Sequence, residues 1–139
     1  MTYTASYSPS LPIPGEPAVL GPITCARAAL ETNIAVYVPW KNCKLVHAYA
    51  VTKVVVASAN YEIDLELNAA AGTEIMTITV ATSGSAIGTI AEATFTDATA
   101  GYDLDRDNAD RDAINIEIGG NAGAGTVDIF MYFEPMIKV

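Results

Sequence analysis

Charged residues are scarce in this sequence, and so are the residue types that most often carry out chemistry. Only 17% of its 139 residues are Asp, Glu, Lys or Arg, whereas an average soluble domain has about 25%. There are one histidine, one tryptophan and two cysteines and no G-x-S-x-G, so no nucleophile–base pair or zinc ligand set is recognisable. The low charge suits a chain that hides much of its surface against partners.

Basic residues are the scarcest charges. The net charge is −9, and because phosphate binding needs clustered Lys and Arg, nucleic acid is not expected as a ligand. The imbalance is uneven along the chain. Residues 1–60 hold four basic and two acidic residues, whereas residues 61–137 hold two basic and fourteen acidic residues. This asymmetry predicts two different faces or ends.

Long apolar runs are also missing. No stretch approaches the roughly 18 apolar residues of a membrane span, and no signal peptide is visible before Arg27, the first basic residue. No membrane partner is therefore expected. Cys25 and Cys43 form no C-x-x-C motif and are predicted to be buried thiols, with one disulfide as the alternative. The length indicates a single domain.

Proline is concentrated at the start of the chain. Residues 1–22 hold five of the seven prolines, which exclude a helix and disfavour a central strand. We expect an extended arm over residues 1–22, followed by a β-sandwich domain over residues 23–139. The arm is predicted to dock on this domain or on a neighbouring subunit through its apolar and aromatic residues, which include Tyr3, Tyr7, Leu11 and Ile13.

Alternation of apolar and polar residues dominates the rest of the chain. In YEIDLELN (61–68) the apolar side chains fall on one face and the acidic ones on the other, which is typical of a half-buried strand. Further strands are predicted at NIAVYV (33–38), LVHAYAVTKVVV (45–56), EIMTITV (74–80), GTIAEATF (88–95), AINIEI (113–118) and TVDIFMYFE (126–134). The sequence predicts an all-β fold, a β-sandwich or jelly roll of about seven to eight antiparallel strands with an extended N-terminal arm.

Two stretches resemble each other. DLELNAAAGTEI (64–75) and NIEIGGNAGAGTVDI (115–129) both consist of a strand, a small-residue loop, Gly-Thr and a second strand. The second loop is two residues longer, which keeps the same face inward. We therefore expect two similar hairpins in equivalent positions of the sandwich.

Five aspartates crowd into DLDRDNADRD (103–112). An EF-hand calcium loop needs Gly at its sixth position and Glu at its twelfth, but Asn108 and Ile114 stand there. We expect a turn ahead of the next strand, in which Asp and Asn side chains bond the backbone and pair with Arg106 and Arg111. A looser calcium site on the same carboxylates is the alternative.

Glu62, Asp64 and Glu66 form an E-x-D-x-E pattern. It resembles the catalytic strand of jelly-roll endo-β-glucanases, in which the first Glu is the nucleophile, the Asp assists and the last Glu is the acid/base. That chemistry needs two carboxyl groups about 5 Å apart, whereas the two glutamates lie about 13 Å apart along an ideal strand. We favour an acidic solvent face of an ordinary strand.

The chain from Ala35 to its end is similar in pattern to another class. The run VPWKNCKLVHAYAVTKVVVASANYEIDLELNAAAGTEIMTITVATSGSAIGTIAEATF, with LDRDNADRDAINIEIGGNAGAGTVDIFMYFEP after it, resembles the cement or decoration proteins of tailed-phage heads. The resemblance implies β-sandwich or jelly-roll trimers on the outside of the shell that bridge major capsid subunits. It implies no catalytic residue, cofactor or metal, and a virion protein assembled in the host cytoplasm.

We expect residues of the arm, together with aromatic and basic residues of the domain, to contact the major capsid protein and other copies of this chain. These residues are Tyr3, Tyr7, Leu11, Ile13, Trp40, Lys41, Lys44, Arg106 and Arg111. One alternative is a carbohydrate-binding or adhesin module that uses Trp40 and tyrosines. Another is a glycoside hydrolase that uses the E-x-D-x-E acids. His47, the lone histidine, is expected to be a packed or hydrogen-bonded residue.

Overall fold

The predicted all-β fold is confirmed. The computed structural model describes residues 18–26, 31–37, 39, 42–68, 73–83, 85–96, 101–106, 112–119 and 124–136. Within these ranges no helix is long and apolar enough to cross a membrane. The strands are β1 (Ala18–Ala26), β2 (Glu31–Tyr37), β3 (Cys43–Ala57), β4 (Tyr61–Leu67), β5 (Thr73–Val80), β6 (Ile90–Phe95), β7 (Tyr102–Leu104), β8 (Ile114–Gly119) and β9 (Ala124–Pro135).

The strands pair as one long hairpin that is rolled up. β1 pairs with β9, β2 with β8, β3 with β6 and β4 with β5, all antiparallel, so the partners nest from the ends of the domain toward its middle. β3 also pairs with β9, and β4 with β8. The result is sheet A, in the order β1-β9-β3-β6, and sheet B, in the order β2-β8-β4-β5. Two such four-stranded sheets form a jelly roll.

β6 joins the two sheets. Its first half, residues 90–92, pairs with β3 of sheet A, and its second half, residues 93–95, pairs with β5 of sheet B. The strand therefore turns the corner between the sheets. The short β7 pairs with the start of β3. β7 and β1 are the two strands that the sequence pattern did not predict.

The core fills the space between the sheets, as the alternation predicts. Tyr61 begins the inward row of β4, and its hydroxyl donates to the carbonyl of Cys25 at 3.2 Å. This bond ties sheet B to the first strand of sheet A. The largest fully buried side chains are Tyr61, Leu45, Ile63, Leu65, Met76, Ile78, Leu104, Ile114, Ile116, Ile118, Ile129 and Met131.

β1 begins at Ala18, inside the segment that we expected to be an arm up to residue 22. The strand tolerates proline because it lies at the edge of sheet A, where a missing N–H breaks no ladder. Gly21 and Pro22 fall in a register shift between Leu20 and Ile23. A Cβ on Gly21 would stand 2.7 Å from the carbonyl oxygen of Ile129, so only glycine fits there. The rest of the arm, residues 1–17, lies outside the described residues.

The expectation of two equivalent hairpins is wrong. β4 and β5 do pair with each other, but β8 lies in sheet B beside β4, while β9 lies in sheet A between β1 and β3. The connection after β8 therefore crosses from one sheet to the other. The prediction for the cysteines is confirmed, because Cys25 and Cys43 are both buried and unbonded to each other.

Candidate binding surfaces

The outer face of sheet A carries a row of stacked rings. Tyr49 of β3 is the cross-strand partner of Phe130 of β9. Their ring centroids are 5.1 Å apart and the rings are nearly parallel, at 16°. His47 lies two residues before Tyr49 on β3, and the centroids of these two rings are 5.8 Å apart with a tilt of 32°. We call His47, Tyr49 and Phe130 the ring row.

The ring row is closed at its β1 end by a glycine. The Cδ1 atom of Phe130 lies 2.8 Å from the position that a Cβ on Gly21 would occupy, so the phenyl ring sits over the bare backbone there. Phe130 therefore lies between Gly21 and Tyr49. Because Tyr49 and Phe130 stack on each other, these two rings present mainly their edges to a partner.

Aliphatic side chains continue the ring row toward one end of sheet A. Val51 of β3 pairs with the exposed Ile90 of β6. A register shift after Thr52 then places Val54 opposite Thr126, which keeps Val54 on the outer face. The loop before β6 follows the same strand, since Gly88 N donates to the carbonyl of Thr52.

This loop carries Ile87, which is 73% exposed. The ring row together with Val51, Val54, Ile87 and Ile90 forms what we call the apolar strip. Contiguous exposed apolar surface is uncommon on a monomer and marks a contact surface.

Several polar groups around the apolar strip have partners. Lys44 pairs with Asp103 at 3.7 Å and Lys53 with Asp128 at 3.3 Å, and Nε2 of His47 lies 2.6 Å from Oε2 of Glu92. Each of the two lysines of β3 is thus matched by a carboxylate.

Asp128 is the most enclosed of these acids, at 7% exposed. The Thr24 hydroxyl donates to its Oδ1 at 2.7 Å. This hydrogen bond, with help from Lys53, lowers the pKa of Asp128 below its ordinary value.

The outer face of sheet B carries acidic side chains where sheet A carries rings and paired charges. Glu62 and Asp64 of β4 point outward between the core residues, and Asp64 is the direct cross-strand partner of Glu117 on β8. Glu74 of β5 completes a group that we call the acidic face. The strands of sheet B contain no Lys, Arg or His at all.

Electrostatic repulsion is concentrated at the centre of the acidic face. Burial raises the pKa of Asp64, and the neighbouring charges of Glu74, Glu62 and Glu117 raise it further, while a hydrogen bond from Thr77 acts in the opposite direction. Like charges directly across from each other destabilise a sheet. The neighbouring carboxylates of this surface therefore repel the charge on Asp64.

One end of the acidic face is closed over. Glu66, the last acid of the E-x-D-x-E pattern, is 7% exposed, and its cross-strand partner Asn115 is 1% exposed. Neither Nδ2 nor Oδ1 of Asn115 has a hydrogen-bond partner. Glu62, Asp64 and Glu66 thus share one face, as predicted, but Glu62 is exposed, Asp64 is half-buried and Glu66 is buried.

The aromatic side chains that the structure describes lie elsewhere. Tyr61 and Phe133 are in the core, Phe95 and Tyr102 pack against it, and Tyr49, Phe130 and Tyr132 face outward from sheet A. A cavity of about 220 Å³ at the corner of the sheets is lined by Thr, Ser, Val, Ile and Ala and so offers no titratable group.

The two described ends of the Asp-rich segment are hydrogen-bonded to each other. Asp112 Oδ2 accepts from the N–H of Asp105 at 2.8 Å, and the Asp112 N–H donates back to the Asp105 carbonyl at 3.2 Å. Asp103 pairs with Lys44 instead of an arginine. Among the described residues no group of three His, Cys, Asp or Glu side chains is placed to hold a metal ion.

Two of the predicted contact residues fall in the described ranges. Lys44 faces outward near the start of β3, where it pairs with Asp103. Arg106 follows β7, and its backbone N–H donates to Asn42 Oδ1. The other predicted contacts lie outside the described residues: Tyr3, Tyr7, Leu11, Ile13, Trp40, Lys41 and Arg111.

The sequence did not identify the ring row as a surface. The available signal was the second face of TVDIFMYFE, which carries Phe130 and Tyr132 where a solvent face would carry polar residues.

No protein-family model, no curated protein and no solved structure matches this chain.

Proposed function

We propose that this chain is a structural protein of a virus particle, a cement or decoration protein that binds the outside of a tailed-phage head and bridges major capsid subunits. It acts as a homotrimer and performs no catalysis. The similarity of its sequence pattern to such proteins supplies the class of partner. The exposed apolar side chains on the outer face of sheet A identify the surface that would bind this partner.

The apolar strip is the observation that carries this proposal. It combines aromatic rings with exposed aliphatic side chains, and the two lysines beside it are already paired with carboxylates. The centres of protein–protein interfaces are depleted in unpaired charge and enriched in aromatic residues. Such a surface can be covered by a partner without leaving a charged group buried and uncompensated.

The proposed mechanism is multivalent adhesion. Each copy contributes one apolar strip, and a trimer presents three strips that contact neighbouring shell subunits at the same time. Linked contacts raise the overall affinity well above that of one strip, provided that the geometry lets all of them engage. Individually weak contacts therefore suffice to reinforce the shell.

A carbohydrate platform is less well supported by the same rings. Sugars stack on the open faces of aromatic side chains, but Tyr49 and Phe130 already stack on each other. Phe130 is also backed by Gly21. A glucanase is less well supported because Glu66, the acid/base of that pattern, is enclosed.

Co-sedimentation with purified heads of the phage that encodes the chain tests the proposal. We expect the native protein to have three times the chain mass of 14.6 kDa and to pellet with the heads. Val54→Asp or Ile90→Asp should weaken head binding by about tenfold or more, because each buries a charge in the contact.

Thr94→Asp is the matched control. Thr94 lies on the same strand as Ile90, but its pairing with Thr77 places it on sheet B. This variant should bind heads like the wild type. Wild-type protein that stays in the supernatant would overturn the proposal, as would strip variants that pellet normally.

A further inference from the structure

We propose that proton uptake by His47 strengthens the contact made by the apolar strip, so that this protein binds its partner more tightly in mildly acidic solution. This regulation requires the strip to be covered by a partner, and it therefore rests on the proposed function. It adds a dependence on pH that the proposed function does not contain. The contact between His47 and Glu92, together with its place beside the strip, carries the inference.

The His47–Glu92 contact lies within the area that a partner of the apolar strip would cover. Nε2 of His47 is 2.6 Å from Oε2 of Glu92, and Glu92 is the direct cross-strand partner of Tyr49. Two residues before Glu92 on β6 is Ile90, an exposed member of the strip. The side chains of His47 and Glu92 are 44% and 63% exposed, so both lose contact with water when a partner covers Tyr49 and Ile90.

Few other titratable groups surround His47 on the outer face of sheet A. In the part of the chain that the structure describes, they are Tyr49 and Lys44 of β3, Tyr132 and Glu134 of β9, Glu92 of β6 and Asp103 of β7. Tyr132 is the cross-strand partner of His47, and tyrosine carries no charge near neutral pH. Asp103 pairs with Lys44, and Glu134 lies opposite Lys44 in the ladder. Glu92 is the acid that contacts His47 directly.

The protonation of His47 decides the net charge of this contact. Histidine is the side chain that ordinarily gains or loses a proton between about pH 5 and pH 8. Protonated His47 and ionised Glu92 together carry no net charge. Neutral His47 leaves Glu92 with a hydrogen bond but with no opposite charge in the contact. Because a buried charge without an opposite charge costs more than a hydrogen-bonded ion pair, the covered contact favours protonated His47.

Proton uptake and partner binding must then strengthen each other by the same factor. The affinity rises as the pH falls through the range in which histidine gains its proton, and it levels off once His47 is protonated. In the free protein both side chains are in contact with water, which solvates the carboxylate of Glu92 whether or not His47 is charged. The dependence on pH therefore belongs to the covered state.

Co-sedimentation with phage heads over a pH series measures this linkage. We expect the affinity of the wild type to rise about tenfold between about pH 8 and about pH 5.5. His47→Gln keeps a hydrogen-bond donor for Glu92 but takes up no proton. Its affinity should stay close to the wild-type value at the alkaline end and change by about twofold or less over the series.

Glu92→Gln should reverse the direction of the effect. Without the carboxylate, protonation of His47 places an unpaired positive charge in the contact, so binding should weaken about threefold or more as the pH falls. Glu134→Gln is the matched control, because it removes one exposed acid of β9 from a position outside the strip. It should keep the wild-type rise. All four proteins are compared on the same heads, so titration of the shell itself does not affect the differences.

The possible outcomes separate this regulation from the proposed function. Identical pH profiles for the wild type, His47→Gln and Glu92→Gln, with binding retained, would overturn the regulation alone. Wild-type protein that fails to bind heads at every pH would overturn both. Melting temperatures of the four proteins at each end of the series establish that every protein is folded where its binding is measured.

Discussion

The two outer faces of this jelly roll are built on the same core and yet have opposite physical character. On sheet A the rings stack on each other, and Lys53 and Asp128 form one of the surrounding ion pairs. On sheet B the outward positions carry carboxylates that repel one another around Asp64. Packing between the sheets constrains the residue types at the inward positions only. The residue types at the outward positions can therefore suit contacts with partners.

The largest expected difference between the faces is in their contribution to stability. Phe130→Ala removes a ring that packs against Tyr49 and Gly21. It should lower the free energy of unfolding by about 2 kcal/mol, less than for a fully buried ring because Phe130 is half-exposed. Thr94→Ala, on the sheet B side, should change it by about 0.5 kcal/mol or less. Urea denaturation of both variants measures the two losses of unfolding free energy. Equal losses would contradict the expected difference between the faces.

Neutralising one acid on each face should change the free energy of unfolding in opposite directions at neutral pH. Asp128→Asn weakens the hydrogen bond from Thr24 and the ion pair with Lys53 and should destabilise the fold by about 1 kcal/mol. Asp64→Asn relieves repulsion that solvent partly screens and should stabilise it by about 0.5 kcal/mol. Shifts of the same sign in denaturant midpoint would contradict the description of the faces.

Acidification should separate the same two variants. The pKa of Asp64 is raised above 3.8 in the fold, so its destabilising effect at neutral pH disappears as the pH falls through that raised value. The pKa of Asp128 is lowered below 3.8, so its stabilising effect persists until the pH falls below 3.8. In unfolding experiments over a pH series, the gain of Asp64→Asn should vanish first. The reverse order would refute both assignments.

Salt should produce the smallest effect. Screening weakens the repulsion on the acidic face more than it weakens the enclosed Thr24–Asp128 contact. Added sodium chloride should therefore raise the melting temperature of the wild type slightly. The rise should be smaller in the variant with Glu62→Gln, Asp64→Asn and Glu117→Gln, and an identical rise in both proteins would argue against concentrated repulsion at that face.

Most of the strands could be predicted from the sequence because one face of each is covered by the core. The alternation in 61–68 and 113–118 reports this directly. β1 could not be predicted, because its proline is tolerated only at a sheet edge and in a register shift. The separation of β8 from β9 was also hidden, since alternation reports burial but does not identify the pairing partner.

The candidate surfaces were predictable only in part. The acids of β4 were expected on one face, and they lie there, but the enclosure of Glu66 depends on its surroundings in the fold. The apolar strip depends on the pairing of Tyr49 with Phe130 and on the register shift that turns Val54 outward. The apolar–polar pattern of a single strand predicts neither its pairing partner nor its register shifts.

A cryo-electron microscopy map of phage heads decorated with this protein would locate the contact directly. We expect the contact with the shell to contain His47, Tyr49, Phe130 and Ile90, with three copies of the protein in each cluster and the acidic face of sheet B pointing away from the shell. A map in which the apolar strip is exposed to solvent, or in which sheet B rests on the shell, would contradict it.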